Sequence, residues 1–347
     1  MRILLIKPKQ IGDSLILTPT IAALKQAHPD AEIWVVVRRG CEGILAGCPH
    51  LARILTVAPV EKRDRRFWRD LRGDAATFLQ VAAHRFDAAF ELGDGGRGRN
   101  LLRSAVRCGA RYSVKPTDAW AERDVRRAGG KIATHDWSTC HRVEKDFLAV
   151  SEFLPLPEPI GPLVFDAAAD REWTPARELT DFAVVQVGTR QGFNRWHREG
   201  WLAIARALLE RLAHVVIACG PVAHEREEAA WLQTQIGPRA LSTDGMAGWA
   251  QMAWLLRRAR LFVGPNTAAM HLAAACGCPV VALFGPSIED HWHPWRVPYR
   301  IVTTPGYAAV AEVTERYARI KQRTMAEIQA ADVIEACHAL LAMTLRS

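Results

Sequence analysis

The sequence has no stretch of about twenty apolar residues, so nothing in it suits a bilayer-spanning helix. No charged-then-apolar leader precedes the first candidate strand, which is expected to begin almost at the first residue. The turn after that strand holds no Gly-x-Gly-x-x-Gly, which counts against a dinucleotide-dependent dehydrogenase. Nothing resembles a helix-turn-helix, an RNA-binding sheet motif or a zinc finger. The eight cysteines are scattered; only Cys276 and Cys278 are close, and no second pair completes a zinc site. They are read as reduced thiols of a cytosolic protein with no structural metal. Low-complexity segments and short repeats are also lacking.

What is present fits two domains. A chain of 347 residues, 49% of them apolar, is long for one core and ample for two. Met1–Lys7 reads as a strand, Asp13–Ala27 as a helix and Glu32–Arg38 as the next strand, a β-α-β opening that implies a parallel sheet. Further strands are expected at Arg53–Thr56 and Ala88–Glu91, with helices at Arg65–His84 and Val143–Phe153. Gly93–Arg99 is a glycine-rich basic loop at a strand's carboxyl end, where parallel sheets commonly hold ligands. Leu154–Pro162 holds four prolines and reads as a linker, so domains are expected over 1–160 and 161–347. The alternation restarts at Phe182, and an amphipathic helix over Ala326–Leu345, free to pack back on the first domain, closes the chain.

The most informative stretch is Leu261–Pro286, which reads as strand, tight turn, alanine-rich helix and second strand. Asn266 suits its N-cap. The free N–H groups of this helix would favour an anion, and Thr267 and His271 share one of its faces. A phosphate-bearing ligand is the expected occupant.

The net charge of +8 is concentrated in Glu61–Arg72, where Lys62, Arg63, Arg65, Arg66, Arg69 and Arg72 outnumber three acids and surround Phe67 and Trp68. A nucleic acid, an anionic membrane surface or an acidic acceptor would suit this run, nucleic acid least; a solvated helix face would too.

Five segments in register resemble the ADP-heptose:lipopolysaccharide heptosyltransferases, the family-9 glycosyltransferases. They are Lys7–Asp13 with its following helix, His141–Val150, Arg195–Trp201, Gly220–Glu227 and Pro265–Pro286. The resemblance covers nearly the whole chain. It implies an α/β protein with two Rossmann-like domains facing each other across a cleft, the GT-B glycosyltransferase fold. It implies an inverting transferase that moves heptose from ADP-heptose to the lipopolysaccharide inner core or a related surface glycan, with no cofactor and no metal. The lack of an Asp-x-Asp cluster agrees with that.

Carried over, Asp13 is the base for the acceptor hydroxyl, although its position equally suits an ordinary N-cap. The donor is assigned to Thr189, Arg190, Arg195, Glu225, Met246, Asn266, Thr267, Ala268 and His271. Four of these have a plainer reading: Arg195 as a surface residue, Glu225 as a first-turn acid, Met246 as core, His271 as a packed histidine. Lys62, Arg63, Arg65, Arg66, Arg97 and Arg99 are assigned to an anionic acceptor, and the same run would hold the protein at the inner face of the inner membrane. A nucleotide-sugar epimerase on the same architecture and a non-catalytic sugar-nucleotide binder are the alternatives. Three positions depart from the family pattern: Asn266 for Asp, Ala268 for Gly, and Asn194 for Lys.

Overall fold

The structure is a computed structural model that describes residues 1–59, 67–190, 192–304 and 324–344, with backbone only over 67–72. The chain divides into two compact units, Met1–Val164 and Phe165–Ser347. The first runs β1 (Arg2–Lys7), α1 (Ile11–Ile16), α2 (Thr18–Ala27), β2 (Glu32–Arg38), β3 (Leu51–Val57), α3 (Phe67–Ala83), β4 (Phe86–Glu91), α4 (Gly96–Ser104), β5 (Cys108–Ser113), α5 (Ala119–Arg127), β6 (Gly130–Ile132) and α6 (Arg142–Ser151). Its sheet has the order β3-β2-β1-β4-β5-β6 and every pairing is parallel. β1 and β2 each carry five consecutive buried residues. That is why they read as continuous apolar runs: helices cover both faces of a parallel sheet.

The second unit runs β7 (Phe182–Gln186), α7 (Arg198–Leu209), β8 (His214–Ala218), α8 (Ala223–Ile236), β9 (Ala240–Ser242), α9 (Trp249–Arg258), β10 (Leu261–Pro265), α10 (Ala268–Ala275), β11 (Val280–Phe284), α11 (Glu289–Trp292), β12 (Tyr299–Thr303) and α12 (Ala330–Thr344). Its sheet, again parallel, has the order β12-β11-β10-β7-β8-β9. Numbered from its own first strand, each unit therefore has the order 3-2-1-4-5-6 of the doubly wound Rossmann arrangement. α12 packs on α7 and on β10–β12 of its own unit, with Val333, Cys337, Leu340 and Leu341 in the core.

In this arrangement the chain leaves the first and fourth strands toward opposite sides of the sheet. A crevice opens at their carboxyl ends. In the first unit those ends carry Lys7 and Glu91; in the second they lead into Gly188–Thr189 and Asn266–Thr267.

The opening helix differs from the sequence expectation. It begins at Ile11, breaks at Leu17 and resumes at Thr18. Pro19 has no N–H to offer the Leu15 carbonyl, and the Thr18 hydroxyl donates to that carbonyl instead, at 2.7 Å. Asp13 is consequently not the N-cap. Gln10 is, and Asp13 sits in the first turn, where its carboxylate accepts the Gln10 N–H at 3.1 Å. The second difference is at α10, whose N-cap is Thr267 rather than Asn266. The basic loop after β4 is shorter than expected, because α4 already begins at Gly96.

Candidate active site

At the first crevice, Lys7 and Asp146 form an ion pair buried from solvent. Asp146 lies on the same stripe of α6 as Val143, Phe147 and Val150, all buried, so it is a carboxylate on an apolar face. Burial lifts its carboxyl above the usual range while Lys7 pulls it down. Asp13 is half-buried nearby and adds to the negative potential at Asp146.

Glu91, at the end of β4, is fully buried. Its carboxylate accepts the N–H groups of Gly93 (3.0 Å) and Asp94 (3.2 Å) and the Ser113 hydroxyl (3.2 Å). A Cβ at Gly98 would lie 2.2 Å from its Oε1, so a glycine of the 93–98 segment leaves room for this side chain. Burial, then Asp94, push its carboxyl up to about 7. Lys145 is pushed down to about 8, chiefly by burial, and its ammonium lies 4.0 Å from the centre of the Trp137 ring. Lys7, Glu91, Lys145 and Asp146 were not read as site residues. A signal was available: Asp146 interrupts an apolar helical stripe, and Glu91 ends an apolar strand.

Arg97 and Arg99 are committed within the first unit. Arg97 is paired with Asp74 at 2.9 Å and donates to the Ala58 carbonyl. Arg99 is paired with Asp124 at 3.2 Å and Asp94 at 3.6 Å, and is buried. Lys62, Arg63, Arg65 and Arg66 lie outside the described residues.

At the second crevice, Glu225 is the third residue of α8 and is buried. Its Oε2 accepts the Gly220 N–H at 2.8 Å. A Cβ at Gly188 would come within 2.1 Å of the same oxygen, and one at Gly220 within 2.9 Å. Two glycines thus leave room for this carboxylate. Thr189 is buried and Arg190 exposed. Arg195 is exposed, and its Nη2 lies 2.7 Å from His224 Nε2, a contact in which the imidazole accepts. Asn194 is buried. Met246 is 74% exposed, so it is no part of the core.

Thr267 holds the N-cap position of α10, yet its hydroxyl caps nothing. Oγ1 is buried and has no hydrogen-bond partner among the described residues. An N-cap hydroxyl normally takes a first-turn N–H. Here the hydroxyl and the N–H groups of Ala268 and Ala269 are both left for an incoming anion. His271, one turn on, is buried with its ring 6.3 Å from that of Trp292. Asn266 and Ala268 are half-buried beside it.

The Arg195–Trp201 segment is chiefly a structural clamp. The Trp196 indole donates to the Ile328 carbonyl at 3.1 Å and meets Trp201 edge-on at 5.0 Å. His197 caps α7 by accepting the Gly200 N–H at 2.9 Å. Among the described residues no three His, Cys, Asp or Glu side chains converge on a point that could hold a metal.

Two Rossmann-like units, each with polar groups gathered at the carboxyl ends of its sheet and one with a helix N-terminus whose capping hydroxyl has no partner among the described residues, define the class of architecture. The sequence profile of glycosyltransferase family 9 (heptosyltransferase) matches residues 103–319. The chain belongs to that family and is a glycosyltransferase. It is 30% identical to lipopolysaccharide heptosyltransferase 1 of Pseudomonas aeruginosa over 299 residues, 83% of this chain and 79% of the relative. It superposes on the family-9 glycosyl transferase of Veillonella parvula with a TM-score of 0.80 at 17% identity, covering 99% and 97% of the two chains. It superposes on the Escherichia coli heptosyltransferase WaaC, solved with ADP-2-deoxy-2-fluoro heptose, with a TM-score of 0.71 at 20% identity, covering 93% and 98%. Among the described residues no helix is long and apolar enough to cross a membrane.

Proposed function

We propose that the protein transfers heptose from ADP-heptose to the inner core of lipopolysaccharide or a related surface glycan, with inversion. The observation that carries the reading is the uncommitted Thr267 hydroxyl beside the α10 N-terminus. A buried polar atom without a partner is costly, and a ligand oxygen would satisfy it. The diphosphate of the donor fits there, with Thr189, Ala268 and His271 around it and Arg190 and Arg195 supplying guanidinium donors. Glu225 would accept from ribose hydroxyls and Met246 would lie against the base. This scheme asks for no metal and no cofactor, because N–H groups and guanidinium take the phosphate charge. Asn194 and Asn266 contribute polarity but no charge.

In the reaction the acceptor hydroxyl oxygen bonds to the anomeric carbon as that carbon's bond to the diphosphate breaks. ADP leaves, and the hydroxyl proton passes to the Asp13 carboxylate. The acceptor's acidic groups would be drawn by the basic 62–69 run. The same run would hold the protein on the cytoplasmic face of the inner membrane, at about 1 kcal/mol per basic residue near the surface. Arg97 and Arg99, already paired inside the first unit, would shape that region rather than meet the acceptor directly.

The test is calorimetry with a panel of ADP- and UDP-sugars, followed by turnover on deacylated inner-core oligosaccharide. ADP-heptose should bind most tightly and be consumed. Asp13→Ala and Asp13→Asn should both abolish transfer while keeping donor affinity. Asn retains an acceptor for the Gln10 N–H, so an active Asp13→Asn enzyme would reduce Asp13 to a cap.

A further inference from the structure

Among the described tryptophans, Trp120 alone is largely exposed, at 61%. It is the second residue of α5, whose N-terminus follows the carboxyl end of β5. β5 lies beside β4, and Ser113 pairs in register with Glu91, so Trp120 stands at the same sheet edge as the first crevice. The indole is not loose. The buried Arg99 guanidinium lies 5.5 Å from its ring centre, and Asp124 and Asp94 hold that guanidinium from two sides. A flat aromatic is thereby fixed from within the unit and open to solvent outward.

The helix adds charge to the same face. Arg123 and Arg127, three and seven residues on, share the Trp120 face and are exposed. Among the described residues no acid lies within ion-pair distance of either, and Arg123 Nε donates only to the Ala119 carbonyl, at 3.3 Å. Of the helix's two acids, Asp124 is spent on Arg99 and Arg103, and Glu122 falls on the far side.

We infer that Trp120 and Arg123 form a subsite for an acidic sugar ring of the acceptor. The C–H face of the ring stacks on the indole, and its carboxylate or phosphate meets the Arg123 guanidinium. This rests on the proposed glycan acceptor. It names residues outside the 62–69 run as its contacts. A pyranose has one apolar face and a polar rim, and a fixed indole with a guanidinium one helical turn away matches both. A membrane surface also attracts Trp and Arg, but α5 exposes a single large apolar side chain, too little to anchor a helix in an interface.

The experiment is calorimetric binding of deacylated inner-core oligosaccharide to the full chain. Trp120→Ala should weaken binding about tenfold, Trp120→Phe by no more than about threefold, and Arg123→Ala by several-fold, growing smaller as salt is raised. Tm and the far-UV circular dichroism spectrum should match wild type throughout, which reports an intact first unit, and ADP affinity, assigned to the second unit, should not move. Unchanged oligosaccharide affinity in Trp120→Ala overturns the proposal. So does a loss seen only with vesicles of anionic phospholipid, which would make this face a bilayer contact. Wild-type protein that binds the oligosaccharide but transfers nothing to it would sink the transferase reading and leave the subsite standing.

Discussion

Replacing Gly188 by alanine places a methyl carbon 2.1 Å from Glu225 Oε2 and 2.9 Å from its Cδ. The carboxylate has nowhere near to go. Its Oε2 is tied to the Gly220 N–H at 2.8 Å, so any displacement gives up that hydrogen bond. The methyl must therefore expel the carboxylate or move β7 against α8. Overpacking of this kind costs about 1–3 kcal/mol, and breaking a hydrogen bond to a charged group about 1.5–3. A loss of about 2–4 kcal/mol is expected, which for a unit of this size is a fall of roughly 5–15 °C in Tm. ADP affinity should fall with it, since the displaced carboxylate is assigned to the ribose.

The control is a double-mutant cycle with Glu225→Ala, followed by thermal denaturation and ADP calorimetry. Removing the carboxylate should remove most of the penalty. Glu225 Cβ remains 3.0 Å from the new methyl, so a residue of about 1 kcal/mol should persist. An equal cost of Gly188→Ala in both backgrounds would refute the reasoning: the glycine would then serve the backbone of the β7 turn rather than the carboxylate.

Other outcomes follow from the same geometry. Thr267→Val removes a hydroxyl that bonds to nothing in the unliganded chain, so Tm should hold or rise slightly while ADP affinity drops about tenfold; a matching loss of both would make the hydroxyl structural. Glu91 has a folded value near 7 against an ordinary 4.5, so the folded state binds more protons across that interval and stability should decline as pH rises through it, by at most about 1.4 kcal/mol per unit. Glu91→Gln should flatten that slope in denaturation measured between pH 4.5 and 7, and an unaltered slope would assign it to other groups.

Much of the frame was legible because parallel strands are apolar on both faces and helices carry a 3.6-residue stripe. β1, β2, β7, β10 and β11 were all readable as short apolar runs. Of the outer strands, β3 was read at Arg53–Thr56, while β5, β6, β9 and β12 were not. β6 and β9 have three residues each, and β5 carries Arg111 and Tyr112 with only Ser113 fully buried. Caps were misplaced by local chemistry: Pro19 splits a helix whose stripe runs through it, and Asn266, a stronger cap former than Thr, lies one residue before the one that caps. At the second crevice, the place of Asn266, Thr267, Ala268 and His271 between a strand and a helix was legible because Pro265–Ala275 has a recognisable order. The buried charges of the first were not, since Lys7, Glu91 and Asp146 come from distant segments. What makes each consequential is the partner that folding brings to it.

Both sheets repeat one strand order, so each offers a ligand a single doorway, and the scaffold behind it is indifferent to what enters. Asn194 and Asn266, the two departures from the family pattern that remove a charge, lie in the segments that follow β7 and β10, Asn194 buried and Asn266 half-buried next to Thr267. Both changes sit on a frame that persists at a fifth or less of shared sequence.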